Sequence, residues 1–349
     1  MNFDSPYIIS AGIVTNLGLN VASTIAAINA ELDNFQDTFF KSEFNDPIIG
    51  AQITDIEEDD KNHQNVKAST WLNLAIDEAL SYFDINQFDE CCIALLSPNK
   101  LQPNVINFES IIEEALTHIE IKHKFNKDIF SLKVELGKVG CSEAITASKV
   151  WLSEKKNRLV ILAGVDSWLT AARIEHGLNK NRILCNEKSE GFLPGEAASV
   201  VCISSLPLDN NQANLEITNQ NMFEETNSLY SEKPSDGIGL ANATKNVLKS
   251  SGIVLNEVDL TLNDLNGETY FFEEYAISRA RVLRKSMLSH HQTFSSAKFL
   301  GDIGLATGPF LLAYTWALHQ TNKHPGIHSL IQLTSEHKYR SAITLKLNT

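Results

Sequence analysis

The chain has 349 residues, of which 43% are hydrophobic, 21% charged and 8% aromatic; that is enough apolar material for a large buried core, and it argues against disorder. Its 29 Lys and Arg stand against 43 Asp and Glu, a formal net charge of −14. Nucleic acid and anionic membrane surfaces are bound through an excess of basic residues, so neither is an expected partner.

Residues 1–6 carry neither the basic region nor the apolar stretch of a secretory signal, and the longest apolar runs, 159–165 and 310–318, are too short to cross a membrane. A cytoplasmic chain is expected. Residues 7–14 read as a first strand, and the acidic run at 55–60, without a Gly-punctuated calcium loop, as a solvated loop. Ala68, Trp71, Leu72, Ala75, Ile76, Ala79 and Leu80 fall at three-and-four spacing and predict a helix. A second strand follows at 91–97. Gly140-Cys141-Ser142-Glu143-Ala144 opens the next helix, whose Ala144, Ala147, Val150 and Trp151 share one face. A cysteine at a helix amino terminus has its thiolate stabilised, which makes Cys141 a candidate nucleophile. Strands are then expected at 159–163, 198–204, 215–218, 258–263, 329–334 and 342–347, mostly uniformly apolar, as strands covered on both faces are. The pattern predicts an α/β chain whose polar stretch 207–214 links an amino-terminal half, 1–206, to a carboxy-terminal half, 215–349.

Five cysteines, Cys91, Cys92, Cys141, Cys185 and Cys202, include no Cys-x-x-Cys pair, so neither a disulfide framework nor a zinc site is signalled. Cys91, Cys92 and Cys202 read as small buried hydrophobes. Gly-x-Gly-x-x-Gly and Walker-type loops are absent, and no cofactor is implied. His290 and His291 are expected in a surface loop, and the other eight of the 10 histidines show no metal-ligand spacing. Arg279, Arg281, Arg284 and Lys285 cluster in a predicted helix, either to receive an acidic carrier protein or as a solvated face offsetting Glu273 and Glu274.

Three segments in order carry a resemblance: Ile8-Ile9-Ser10-Ala11-Gly12-Ile13-Val14-Thr15-Asn16-Leu17-Gly18, Ile161-Leu162-Ala163-Gly164-Val165-Asp166, and Gly191-Phe192-Leu193-Pro194-Gly195-Glu196-Ala197-Ala198. With them the chain resembles, over nearly its whole length, the β-ketoacyl synthase branch of the thiolase superfamily. The resemblance implies a thiolase-like fold of duplicated α/β halves in a five-layer α-β-α-β-α architecture, usually a homodimer or a pseudo-symmetric heterodimer. In active synthases a Cys takes the acyl group and two His bind the malonyl thioester. Here Asn266-Gly267-Glu268 stands where the family has His-Gly-Thr. The Lys-x-x-x-Gly-His motif is matched by Lys298-Phe299-Leu300-Gly301-Asp302, one residue shorter, with Asp302 in the His position. A late Gly-Phe-Gly-Gly loop is replaced by Ser335-Glu336-His337-Lys338-Tyr339-Arg340, whose bulky charged side chains stand where the oxyanion hole needs close backbone approach.

The resemblance therefore assigns Cys141, Asn266 and Asp302 to degenerate triad positions with Lys298 beside them, and Gly267, Gly301 and Phe192 to binding positions. Lys298 and Asp302 could instead form a buried ion pair. Cys141 lies closer to the strand end at Ala163-Gly164 than the family pattern has it, so either the intervening loop is shorter or Val139 holds the nucleophile position. The replaced segments also resemble short thiolase-like proteins often found in bacterial type VI secretion effector gene clusters. That implies an adaptor that handles a secreted effector. Three functions follow: a non-condensing binding or adaptor protein, an acyltransferase or thioester hydrolase in which Asn266 serves Cys141 as oxyanion donor on an acyl thioester, or a chain-length-factor-like partner of an active synthase. A homodimer is the expected assembly, because an extended strand edge left unpaired invites aggregation.

Overall fold

The computed structural model describes residues 5–54, 64–100, 103, 106–208 and 214–348. The acidic run at 55–60 and residues 209–213 of the expected linker lie outside the described residues. The first half of the chain runs β1 (Tyr7–Thr15), α1 (Val21–Asn29), β2 (Gln36–Lys41), β3 (Pro47–Gly50), α2 (Gln64–Leu80), β4 (Glu90–Leu96), α3 (Phe108–Lys122), β5 (Asp128–Val134), α4 (Gly140–Glu154), β6 (Arg158–Ser167), α5 (Ala171–Asn179) and β7 (Glu196–Ser204). The second runs β8 (Asn214–Glu224), α6 (Ile238–Ser250), β9 (Leu260–Asn263), α7 (Thr269–Val282), β10 (Gln292–Ser295), α8 (Ala297–Leu300), α9 (Thr307–Gln320), β11 (His328–Thr334) and β12 (Tyr339–Asn348).

Every strand expected from an apolar run is present. Four further strands, β2, β3, β5 and β10, carry mixed or polar sequence because they form a separate hairpin or sit at sheet edges, where one side faces solvent. The main sheet has the order β10-β9-β11-β12-β8-β1-β7-β6-β4-β5. Counted within each half, both flanks read third, second, fourth, fifth, first, and the fifth strand of each runs antiparallel to its neighbours. The same α/β unit thus occurs twice, joined where β1 meets β8 at Tyr7 and Ile8.

Layers follow from which faces the helices bury. α2 lies on the outer face of the first flank, with α3 against it, and α6 and α7 cover the second. Between the flanks lie α4 and α9, each packed on strands of both. α9 is buried from Thr307 through His319, which is why its sequence is apolar all round rather than striped. α2, with one outer face, buries Ala68, Trp71, Leu72, Ala75, Ile76, Ala79 and Leu80. The result is five alternating layers of helix and strand.

On α2 a carboxyl group ties three elements together. Glu78 accepts from the backbone of Ile13 in β1 at 2.9 Å and of Val21 at the start of α1 at 2.7 Å. Burial nevertheless pushes it from the ordinary 4.5 up to about 7. A carboxyl whose folded value is raised holds its proton more tightly in the folded state. Its contribution is therefore full at pH below the unfolded value and lost as pH rises through about 7. Urea unfolding of the protein and of Glu78→Gln, compared from pH 5 to 8, should show the unsubstituted chain losing stability relative to the variant as pH rises; parallel curves would contradict this.

Candidate functional site

β4 and β5 run parallel and end together, and a tight turn, Gly137 to Val139, carries the chain from β5 into α4. The turn is fastened by Ser97 N–H to Val134 O at 2.9 Å and by Gly137 N–H to Ser97 O at 3.0 Å. Gly137 has φ +66°, a left-handed conformation that glycine adopts without strain. This places Lys138 at the carboxyl ends of parallel strands, facing the loops after β9 and α8 that carry Asn266 and Asp302. Outside such strand ends, open α/β sheets hold their functional groups.

The side chains there form one connected, largely buried network. Lys138 Nζ lies 2.9 Å from Asp264 Oδ2 and 4.0 Å from Asp302 Oδ2. Asn266 Nδ2 donates to Asp302 Oδ2 at 2.8 Å and to Glu268 Oε2 at 3.0 Å. Gly304 N–H donates to Asp302 Oδ1 at 2.9 Å. Arg182 grips Glu268 through two bonds of 2.7 Å and meets Glu336, whose other oxygen accepts from Tyr230 Oη at 3.0 Å. Burial alone would raise the Asp302 carboxyl, but the Lys138 charge, the Asn266 amide and the Gly304 N–H hold it below the ordinary carboxylate value. Glu336 is held down in the same way against its burial, chiefly by Arg182. Burial would lower Lys138, yet the charges of Asp264 and Asp302 raise it. Asp302 is therefore an ionised acceptor, and Lys138 a fixed ammonium.

The expected site residues fall into two groups. Asn266 and Asp302 meet, as described. Lys298 does not join them: its side chain is 62% exposed and lies 3.7 Å from Glu31, so the expected Lys298–Asp302 pair is replaced by Lys138 and Asp302. The motif placed the lysine one residue off register, and α8 turns that position outward.

Cys141 is fully buried in the first turn of α4, against α9; a Cβ added at Gly308 would lie 2.9 Å from its Sγ. Burial pushes its thiol up, the opposite of the activation expected from a helix terminus. Val139, the alternative nucleophile position, is an apolar residue with no solvent exposure. A crevice of about 20 Å³, room for about one water, is lined by Lys138, Asp166, Arg173, Asp302 and Glu336 but not by Cys141. Alkylation of the folded protein, resolved by site, should label Cys185 first, since the other four cysteines are buried. Fast labelling of Cys141 would contradict this placement.

Gly267 and Gly301 serve loop closure. With φ +112° and +64°, they bring their loops against the 191–194 segment, and an added Cβ would stand 2.5 Å from Gly191 O and Leu193 O respectively. Phe192 is buried, its ring 4.6 Å from that of Trp168 and 5.2 Å from the Arg182 guanidinium. It supports Arg182 and does not line the crevice. The 335–340 loop is fixed by Arg340, fully buried, which donates to Glu274 at 2.7 and 2.9 Å and to the carbonyls of Ser335 and His337 at 2.8 and 2.7 Å. Arg340 thus points away from the site, while Glu336 points in.

Sequence reasoning missed Lys138, Arg182 and Asp264, and had Glu336 only among the bulky charged residues of the 335–340 loop. The one signal was the short spacing from Cys141 to Gly164, which left open either a shorter loop or a site position upstream at Val139. The helix expected to hold Arg279, Arg281, Arg284 and Lys285 ends at Val282, leaving the last two beyond it. Histidine spacing gave no metal-ligand set, yet the fold brings His118 and His123 to Asp77, which lies on a different helix. His290 pairs with Asp259 at 2.7 Å.

No family model and no curated protein sequence matches the chain. Its fold is the thiolase-like fold of ketosynthases. It is similar to a ketosynthase (ApeO) in complex with its chain length factor (ApeC) from Xenorhabdus doucetiae, with 12% identity over 99% of this chain and 98% of that one and a TM-score of 0.70. It is also similar to the ishigamide ketosynthase/chain length factor, at 11% identity with all of both chains covered and a TM-score of 0.76. A third is the ketosynthase from module 6 of the bacillaene synthase of Bacillus subtilis 168, at 11% identity over 99% of this chain and 72% of that one, with a TM-score of 0.74. Among the described residues no helix is long and apolar enough to cross a membrane.

Proposed function

We propose that the protein is a non-condensing subunit of ketosynthase fold that works by binding a protein partner. The observation that carries this is the closed cluster of Lys138, Asp302 and Asn266. Decarboxylative condensation needs a thiolate and hydrogen-bond donors aimed at a thioester oxygen. Asp302 is an ionised acceptor that repels a malonyl carboxylate. Both N–H bonds of the Asn266 amide are taken, by Asp302 and Glu268. A crevice of about 20 Å³ is too small for an acyl chain, and Cys141 does not line it. The same facts weigh against an acyltransferase or hydrolase built on Cys141 and Asn266.

A partner has a place to dock. Among the described residues the main sheet ends in β5, a seven-residue strand with an unpaired edge and with Phe130 44% exposed, whereas the opposite edge strand, β10, has four residues. An edge of that length recruits another strand. Its occupant in this reading is a second ketosynthase-fold subunit: another copy of the chain, or an active synthase in the manner of a chain length factor. The second alternative is favoured by the similarity to ketosynthase/chain length factor assemblies. A secreted effector would then be cargo of the assembled pair.

Sedimentation velocity on the purified chain, alone and co-expressed with a ketosynthase, tests the reading. The expected result is a dimer that Ser131→Pro in β5 converts to monomer. A chain that stays monomeric in both settings would overturn it.

A further inference from the structure

The outer helical layer of the first half holds a second cluster of chemistry-bearing side chains, separate from the crevice. Asp77 stands on α2 and His118 near the end of α3. His123 caps α3, with φ −91° and ψ 0°, and the turn there brings its ring back toward α2. His118 Nε2 and His123 Nε2 each lie 2.7 Å from one oxygen, Asp77 Oδ1. The three ligand atoms all lie within 4.8 Å of one another, on residues that are each partly buried. The other carboxylate oxygen, Oδ2, accepts from Lys122 at 2.6 Å.

Two imidazoles aimed through the same nitrogen at one carboxylate oxygen must each carry a proton there, and that single oxygen must accept both bonds. A divalent cation replaces both protons with one centre that all three atoms can bind. Two imidazole nitrogens and a carboxylate oxygen suit Zn²⁺ and its neighbours, whereas Mg²⁺ and Ca²⁺ take oxygen ligands. Three protein ligands with a fourth position left to water is the form of an open zinc site. Lys122 on Oδ2 leaves Oδ1 free to ligate and orients the carboxylate from behind. The adjoining groove is lined by Asn73, Glu114, Thr117, His118 and Lys122. Asn73 Oδ1, one turn before Asp77 on α2, is shielded from solvent and has no hydrogen-bond partner. It can accept from a metal-bound water.

We propose that Asp77, His118 and His123 form a binding site for a divalent transition cation of the Zn²⁺ class, clipping α3 to α2. The site is independent of the partner-binding reading. Binding would fix two outer helices to each other, so its effect should register as stability rather than turnover.

The test is calorimetric titration of ZnCl₂ into the full-length, untagged, chelator-treated protein, with thermal unfolding followed in parallel. One Zn²⁺ per chain is expected, raising the unfolding midpoint and reversed by EDTA, with no competition from excess Mg²⁺. His118→Gln, His123→Gln and Asp77→Asn should each weaken binding by about tenfold or more, while Glu120→Gln, an exposed charge on α3 outside the cluster, should retain it. Absence of stoichiometric uptake would overturn the proposal. So would uptake unchanged in the His118→Gln/His123→Gln double variant, which would place the metal elsewhere, and equal binding of Mg²⁺ would overturn the assigned class.

Discussion

Lys138→Ala is expected to destabilise the protein by about 3–5 kcal/mol, the cost of stripping a buried carboxylate cluster of its cation. Asp264 and Asp302 would remain, both buried, with Asp264 still accepting from Thr334 N–H at 2.8 Å and Asp302 from Asn266 and Gly304. Those dipoles stabilise an anion but do not neutralise it. The effect should depend on pH in a defined direction. In the unsubstituted protein the Asp302 carboxyl is depressed, so its contribution is present above the ordinary value of 3.8 and lost as pH falls through the folded value. Without Lys138, burial becomes the dominant influence and raises that carboxyl. The variant should then regain stability relative to the unsubstituted chain as pH falls from 7 toward 5. Asp302→Asn in the Lys138→Ala background should recover part of the loss at neutral pH. Urea midpoints at the two pH values measure all of this, and a variant within 1 kcal/mol of the parent, on the scale of an exposed pair, would contradict the placement of Lys138.

Arg340→Ala should cost about as much, ~3–5 kcal/mol. Arg340 and Glu274 both have no solvent exposure. Burial raises the Glu274 carboxyl, and the Arg340 charge and hydrogen bonds are what oppose it. Removing the guanidinium leaves an unpaired buried acid and releases the carbonyls of Ser335 and His337. Because the guanidinium serves Glu274, three carbonyls and the Tyr270 hydroxyl from one planar group, Arg340→Lys should rescue little of the loss. The 335–340 loop would loosen with it. Thermal unfolding of the three proteins decides this, and a lysine variant as stable as the parent would refute the multi-bond role.

What the sequence made legible was whatever rests on periodicity and local order. Uniformly apolar runs marked the strands that are covered on both faces, and α2 announced its single buried face through Ala68, Trp71, Leu72 and Ala75. The edge strand β5 escaped because its Asp128, Ser131 and Lys133 are those of a solvated edge. At the site, Asn266 and Asp302 were readable because each stands at a fixed place in a motif. Lys138 was not: its role depends on a left-handed turn at Gly137 and on two loops from the other half of the chain meeting its ammonium. Arg182 and Glu336 come together across 154 positions of sequence, and the replaced 335–340 loop announced Glu336 but not its partner. Cys141 misled for a related reason. A helix terminus favours a thiolate, but α9 packs over it, and desolvation outweighs the dipole.

In the function proposed above, the ionic cluster of Lys138, Asp264, Asn266 and Asp302 stands where a ketosynthase would condense acyl groups. Release of CO₂ from malonyl thioesters by the purified protein, measured against Cys141→Ala and Asp302→Asn, decides for or against that function. Rates for all three proteins are expected to equal the protein-free background. Decarboxylation by the unsubstituted chain above that background, lost in Cys141→Ala, would contradict it.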